Sequence, residues 1–113
     1  MSNKPKLYLF VCAANRNRSK AAERICRQLA QKKNVPIECQ SAGVDLFAER
    51  RVTKHIADNA DTIFVMEEYM KDILVNEFHQ WPEKIVCFDI LDVYFVNDPV
   101  LETILKNKIE SYI

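Results

Sequence analysis

Neither sign of charge is in excess in this chain: sixteen lysines and arginines balance sixteen aspartates and glutamates over 113 residues. The overall charge therefore offers no electrostatic footprint for nucleic acid or an acidic membrane, neither is an expected partner, and any phosphate recognition must be local. Long apolar runs are missing too. The N-terminal Met1-Ser2-Asn3-Lys4-Pro5-Lys6 is polar, and Leu7-Tyr8-Leu9-Phe10-Val11 after it is too short for a signal-peptide core or a membrane span, so a cytoplasmic location is expected. The cysteines lack pairing patterns: Cys12, Cys26, Cys39 and Cys87 include no Cys-x-x-Cys and have no nearby histidine in sequence, against both a disulfide scaffold and a zinc site. No repeat, linker or low-complexity segment interrupts the chain. At 49% hydrophobic and 28% charged residues it reads as one globular domain over residues 1–113.

What is present is an alternation. Residues 7–11 form a continuous apolar run, the pattern of a strand buried on both faces. After a polar loop, Ala22, Ile25, Cys26 and Leu29 recur at helical spacing, with Lys32-Lys33 suited to a helix C-terminus. A second strand, Ile37-Glu38-Cys39-Gln40-Ser41, ends at Gly43, and Val52, His55, Ile56 and Ala60 trace a second amphipathic helix with His55 on its apolar face. Residues 62–66 read as a third buried strand. Met70, Ile73, Leu74 and Phe78 mark the next helix, which Trp81-Pro82 breaks. Residues 84–88 are the fourth strand, and a last helix carries Leu101, Ile104, Leu105 and Tyr112. Strict alternation predicts an α/β fold with a parallel four-stranded sheet, right-handed crossovers and helices on both faces.

In such sheets ligands bind beyond the carboxyl ends of the strands. The loop there, Cys12-Ala13-Ala14-Asn15-Arg16-Asn17-Arg18-Ser19, joins the first strand to the first helix. Successive backbone N–H groups and the positive end of the following helix suit it to a phosphate dianion. A helix N-terminus and a nearby arginine are also the surroundings that convert a thiol such as Cys12 to its nucleophilic thiolate. Arg18, six residues on, supplies a planar fork for two phosphoryl oxygens. Ser19 is placed to donate to the thiolate or cap the helix. The loop contains no glycine, and Asn15 is among the few other residues that tolerate a left-handed backbone. Arg16 reads as a solvated charge or a steering residue at the rim. Cys26, Cys39 and Cys87 read as small buried hydrophobes.

Val11-Cys12, five residues, then Arg18-Ser19, together with Asn15, Ser41-Ala42-Gly43 after the second strand and Asp98-Pro99 late in the chain, resembles the low-molecular-weight protein tyrosine phosphatase family, in its compact bacterial branch. The resemblance implies Cys12 as nucleophile, Arg18 as phosphate binder, Ser19 as thiolate stabiliser, Asp98 as general acid, and Ser41 as a buttress for Asn15. Asn15, Asn17, Arg18 and Ser19 also look like the loop of the related RNA polymerase tail phosphatases. The family's frequent loop glycine is Ala14 here. Its second loop cysteine is Asn17, so no disulfide can form within the loop, and Val100-Leu101 stand where tyrosine phosphatases often carry tyrosines.

The implied reaction is phosphomonoester hydrolysis, with protein phosphotyrosine or a small phosphate ester as substrate, a phosphocysteine intermediate, no metal or cofactor, and a monomer by default. Asp immediately before Pro is also an ordinary N-cap, and Asp89 and Asp92 are alternative acids. Phe47 and Tyr94 are candidate cleft walls, and Phe47 serves equally as a core residue. Two rivals share the loop. An arsenate reductase would need further cysteines to pass on a disulfide, and a phosphate- or phosphopeptide-binding module would have lost turnover.

Overall fold

The computed structural model describes residues 4–113, so the first three residues of the polar N-terminal stretch lie outside the described residues. Four strands, β1 (Lys6–Cys12), β2 (Ile37–Gly43), β3 (Thr62–Val65) and β4 (Ile85–Cys87), alternate with four helices, α1 (Arg18–Lys33), α2 (Lys54–Asn59), α3 (Glu68–Asn76) and α4 (Pro99–Glu110). Every pairing is parallel, and the sheet order is β2-β1-β3-β4. The first crossover runs one way across the sheet and the next two run the other. Right-handed connections therefore place α1 on one face and α2 and α3 on the opposite face. This is the three-layer α/β fold that the alternation predicts. Among the described residues no helix is long and apolar enough to cross a membrane.

The central place of β1 reflects its composition. Every residue from Leu7 to Cys12 is buried, and the one charged side chain of the strand, Lys6, stands exposed at its start. Side chains alternate between the faces. Tyr8 and Phe10 meet Phe64, Phe88 and Tyr112 in an aromatic cluster with ring centroids 5.0–6.4 Å apart, while Leu9, Val11, Ile63 and Val65 fill the other side. Phe10 and Phe64 stand opposite each other in register and stack at 5.0 Å. The Tyr8 hydroxyl donates to the Tyr112 carbonyl at 2.9 Å, tying the C-terminal turn to the sheet.

Several boundaries differ from the periodic pattern. The second helix is only six residues long. Val52 and Ala60 are buried just outside it, Ala57 is its inward residue, and His55 is exposed rather than on an apolar face. α3 ends at Asn76, ahead of Trp81-Pro82. The chain reverses through His79 at φ 54°, and the Gln80 N–H bonds the Leu74 carbonyl at 3.0 Å, so a left-handed turn rather than proline stops the helix. Tyr112 follows α4 in a turn and still reaches the aromatic cluster.

The sheet order also sets where a ligand can approach. Connections leave β1 and β3 toward opposite sides, and the point of reversal between adjacent strands opens a crevice at their carboxyl ends. Cys12, the last residue of β1, lies at that edge.

Phe64→Ala removes the ring at the centre of the aromatic cluster. It should lower unfolding free energy by about 3–5 kcal/mol in chemical denaturation. A loss below about 1 kcal/mol would show that the cluster is not the main store of packing energy.

Candidate active site

The loop of residues 13–17 climbs from β1 and turns into α1. Its carbonyls are held from outside: Val44 N–H donates to the Cys12 carbonyl at 3.0 Å, Asp45 to Ala13 at 3.0 Å and Glu49 to Ala14 at 3.1 Å. With the carbonyls drawn outward, the peptide dipoles turn their N–H ends to the inside of the bend. Among the described residues, no protein acceptor takes up the N–H groups of residues 13–17. Asn15 makes the turn at φ 55°, the left-handed conformation that its residue type tolerates. α1 adds its positive end, with no side-chain cap and no acidic residue in its first turn. The result is a concave set of donors suited to a tetrahedral oxyanion.

Close packing with β2 keeps the bowl shallow. Gly43, the only glycine in the chain, pairs with Cys12 in the sheet. A Cβ built there would overlap the Ala13 carbonyl oxygen and stand 2.7 Å from the Ala48 Cβ and 2.9 Å from the Asn15 nitrogen. The loop backbone sits where any other side chain would begin.

At the floor, the Cys12 Sγ lies 3.0 Å from the Ser19 Oγ, and the Asn15 amide donates to that same Oγ at 2.8 Å. All three side chains are buried. Either group can donate in the Cys12–Ser19 contact, and the Asn15 amide holds the Ser19 oxygen in place beside the sulfur. Arg18 is 2% exposed. Its Nη1 donates to Glu67 Oε2 at 2.8 Å and to the Ile90 carbonyl at 2.6 Å, and the opposite edge of the guanidinium makes no hydrogen bond to protein among the described residues. Asp92 Oδ1 lies 3.8 Å from Nε on that edge and is two-thirds exposed.

The other predicted site residues make contacts of their own. The Ser41 hydroxyl donates to Glu23 on α1 rather than supporting Asn15. Asp98 is buried as the N-cap of α4, its carboxylate accepting the Val100 N–H at 3.0 Å. Tyr94 packs its side chain against the core, and its carbonyl meets the loop, accepting from Asn17 at 2.9 Å. Phe47 projects into solvent at 84% exposure, outside the core, from the segment that holds the loop carbonyls. Arg16 is exposed at the rim.

Two residues carry no signal in the sequence. Glu67 follows the end of β3, a strand away from Cys12 in the sheet, and only the strand order brings it to Arg18. Tyr69, in the first turn of α3, lies within electrostatic reach of Cys12 and Arg18. Burial, with the nearby Glu67 and Asp45 carboxylates, pushes its phenol up, so it stays protonated.

The remaining thiols sit apart from the loop. Cys26 and Cys39 are buried between α1 and β2, and the neighbouring Cys39 together with burial pushes the Cys26 thiol up. Cys87 hydrogen-bonds Asp89 at 3.3 Å, and burial pushes it up to about 11, well away from thiolate character.

Residues 8–58 match the family model of the low molecular weight phosphotyrosine protein phosphatases. Among solved structures, the low molecular weight protein tyrosine phosphatase from T. tengcongensis aligns with a TM-score of 0.81 at 20% identity, over 95% of this chain and 97% of that one. The tyrosine phosphatase Wzb from Escherichia coli K30, solved with phosphate, aligns at 0.78 and 21% identity over 95% of each chain. The YwlE arginine phosphatase from Geobacillus stearothermophilus aligns at 0.75 and 22% identity, over 96% of this chain and 90% of that one. At these identities the likeness establishes the shared fold. No curated protein matches the chain by sequence.

Gly43→Ala should push the loop away from β2 and lower phosphate or vanadate affinity by at least about tenfold in calorimetry, equivalent to ~1.4 kcal/mol, with the circular dichroism spectrum retained. Undiminished affinity would show that the close approach is not required.

Proposed function

We propose that this chain, which carries the sequence pattern of the low molecular weight phosphotyrosine protein phosphatases across residues 8–58 and their fold across nearly its whole length, is a cysteine-dependent phosphatase acting on phosphorylated protein. The observation that carries the reading is the Cys12 sulfur, 3.0 Å from the Ser19 hydroxyl, at the base of a bend whose N–H groups find no acceptor among the described residues, beside the buried Arg18.

The dianionic phosphoryl group of a substrate sits in the bend, its oxygens taking the N–H groups of residues 13–17 and the free edge of Arg18. Glu67 and the Ile90 carbonyl hold the other edge of the guanidinium, so its plane is set before substrate arrives. The Cys12 thiolate attacks phosphorus in line, forming the S–P bond as the P–O bond to the leaving group breaks. The leaving oxygen takes a proton from the acid. In the second half, the acid's carboxylate takes a proton from water, water oxygen attacks phosphorus, the S–P bond breaks, and inorganic phosphate and the thiolate return.

Asp92 is the acid in this scheme, in place of the expected Asp98. Its carboxylate is exposed at the mouth of the bend beside Arg18, whereas Asp98 is committed to the α4 N-terminus. A general acid must reach the departing oxygen, and the exposure of Asp92 beside Arg18 supports that role. Phosphotyrosine is the proposed side chain, because the exposed Phe47 and the half-exposed Tyr69 offer apolar and aromatic surface around an aryl ester. The solved neighbours include both a tyrosine and an arginine phosphatase, so the decisive panel compares phosphotyrosine, phosphoarginine and phosphoserine peptides.

Cys12→Ser should abolish turnover of p-nitrophenyl phosphate and of the phosphotyrosine peptide while keeping phosphate binding. Normal turnover by this variant removes the nucleophile assignment. Asp92→Asn should slow phenyl phosphate by about 10²-fold or more, with a smaller effect on the better leaving group p-nitrophenol. Asp98→Ala should instead cost about 1 kcal/mol of stability with no change in leaving-group dependence. The reverse pattern would restore Asp98 as the acid.

A further inference from the structure

Beside the bend lies a second concavity of about 300 Å³, between the start of α1 and the chain just before α4. Arg16, Lys20 and Arg24 line it together with Asn17, Val96 and Asn97, and no carboxylate is among its lining residues. Lys20 and Arg24 lie one turn apart on α1, about 6 Å along the axis. Asn17 belongs to both this hollow and the bend, so the two are adjacent. From these observations we infer that the hollow is a substrate subsite, which takes a second anionic group on the phosphopeptide, a few residues from the phosphorylated side chain.

The charges there are available. Arg16 makes no ion pair or side-chain hydrogen bond among the described residues, and its field reaches Glu49 only across space. Lys20 pairs with Glu49 and Arg24 with Glu102 at 3.3 Å, both on the surface. Exposed pairs of this kind contribute ~1 kcal/mol or less, so an incoming carboxylate exchanges with them at little cost. Three cations facing one hollow also repel one another, and an anion placed among them relieves that repulsion. An extended peptide advances about 3.3 Å per residue. The hollow is therefore within reach of a side chain two to four positions from the phosphorylated residue. Val96, 63% exposed, gives the far wall an apolar surface against the methylene groups of a glutamate. Neutral or basic flanks gain nothing there, which makes the hollow a filter among protein substrates without altering the chemistry at Cys12.

This subsite presupposes the phosphatase reading of the neighbouring bend. The experiment compares three phosphotyrosine peptides identical except for the flanking positions, which carry glutamate, glutamine or phosphoserine. The protein is used in its native form and as the Lys20→Ala/Arg24→Ala double variant, whose replacements suit a helix. The glutamate peptide should show a KM about fivefold below the glutamine peptide, of the size expected for one or two screened charge contacts, and the difference should shrink at high salt. The double variant should erase that difference while leaving the glutamine peptide and p-nitrophenyl phosphate unchanged in kcat and KM. A phosphoserine flank that outperforms glutamate, and loses its advantage in the variant, identifies a second phosphate as the preferred anion at the same subsite. Equal KM values for glutamate and glutamine flanks, or a difference that survives the double variant, overturn the subsite. Calorimetry of the same peptides with Cys12→Ser reads binding without turnover. Charge-dependent binding there, in a protein that hydrolyses no phosphoester, would retain the subsite and reject the phosphatase reading.

Discussion

The site depends first on one constraint: the carbonyls of Cys12, Ala13 and Ala14 are pulled outward by the N–H groups of Val44, Asp45 and Glu49. A peptide unit cannot turn its carbonyl one way without turning its N–H the other. Anchoring three consecutive carbonyls to a neighbouring segment therefore aims the donors inward, and the left-handed Asn15 completes the bend. Gly43 makes this possible, because a side chain on β2 at that position would occupy the volume of the loop. A chain with one glycine has placed it where backbone meets backbone most closely.

The sheet order supplies the rest. With β1 between β2 and β3, the Cys12 loop gains the 44–49 segment from one neighbour and Glu67 from the other. β4, one strand further, leads to the Ile90 carbonyl, which shares Nη1 of Arg18 with Glu67. A guanidinium buried to 2% exposure carries a large desolvation cost unless its donors are matched. Glu67 and Ile90 match one edge, which leaves the other edge as the one suited to an anionic ligand. The same contacts that make the charge tolerable in the interior thus orient it toward the bend.

The segment from Leu91 to Asn97 has a different character. Leu91, Val93, Phe95 and Val96 are all more than half exposed, and the segment meets the loop through the bond from Asn17 to the Tyr94 carbonyl. Left-handed residues at Asp89 and Asn97 bracket it. It carries Asp92, beside Arg18, and Val96, in the cationic hollow, so the proposed acid and the proposed subsite hang on one short stretch while the Cys12 bend sits at the edge of the sheet.

Much of this was legible in the sequence because it is local. The apolar run at residues 7–11 names the central strand, and Cys12, Asn15, Arg18 and Ser19 lie within eight residues, so a strand, a turn and a helix in succession bring them to one place. The alternation of periods likewise gives the parallel sheet. What tertiary structure alone decided are the partners drawn from far along the chain. Glu67 reaches Arg18 across 49 positions through the strand order, and Ser41 turns to Glu23 on the packed helix instead of to Asn15. The family resemblance implies Asp98-Pro99 as the acid, and the same local signal describes an N-cap, the contact Asp98 makes. Whether Asp92 or Asp98 stands beside the guanidinium depends on the path of an irregular, glycine-free loop, for which periodicity carries no information. The residues of the bend around Cys12 were thus legible in the sequence, because they lie in one short segment, while the 44–49 contacts that shape it and the groups that complete it were decided by the fold, which alone brings distant backbone together.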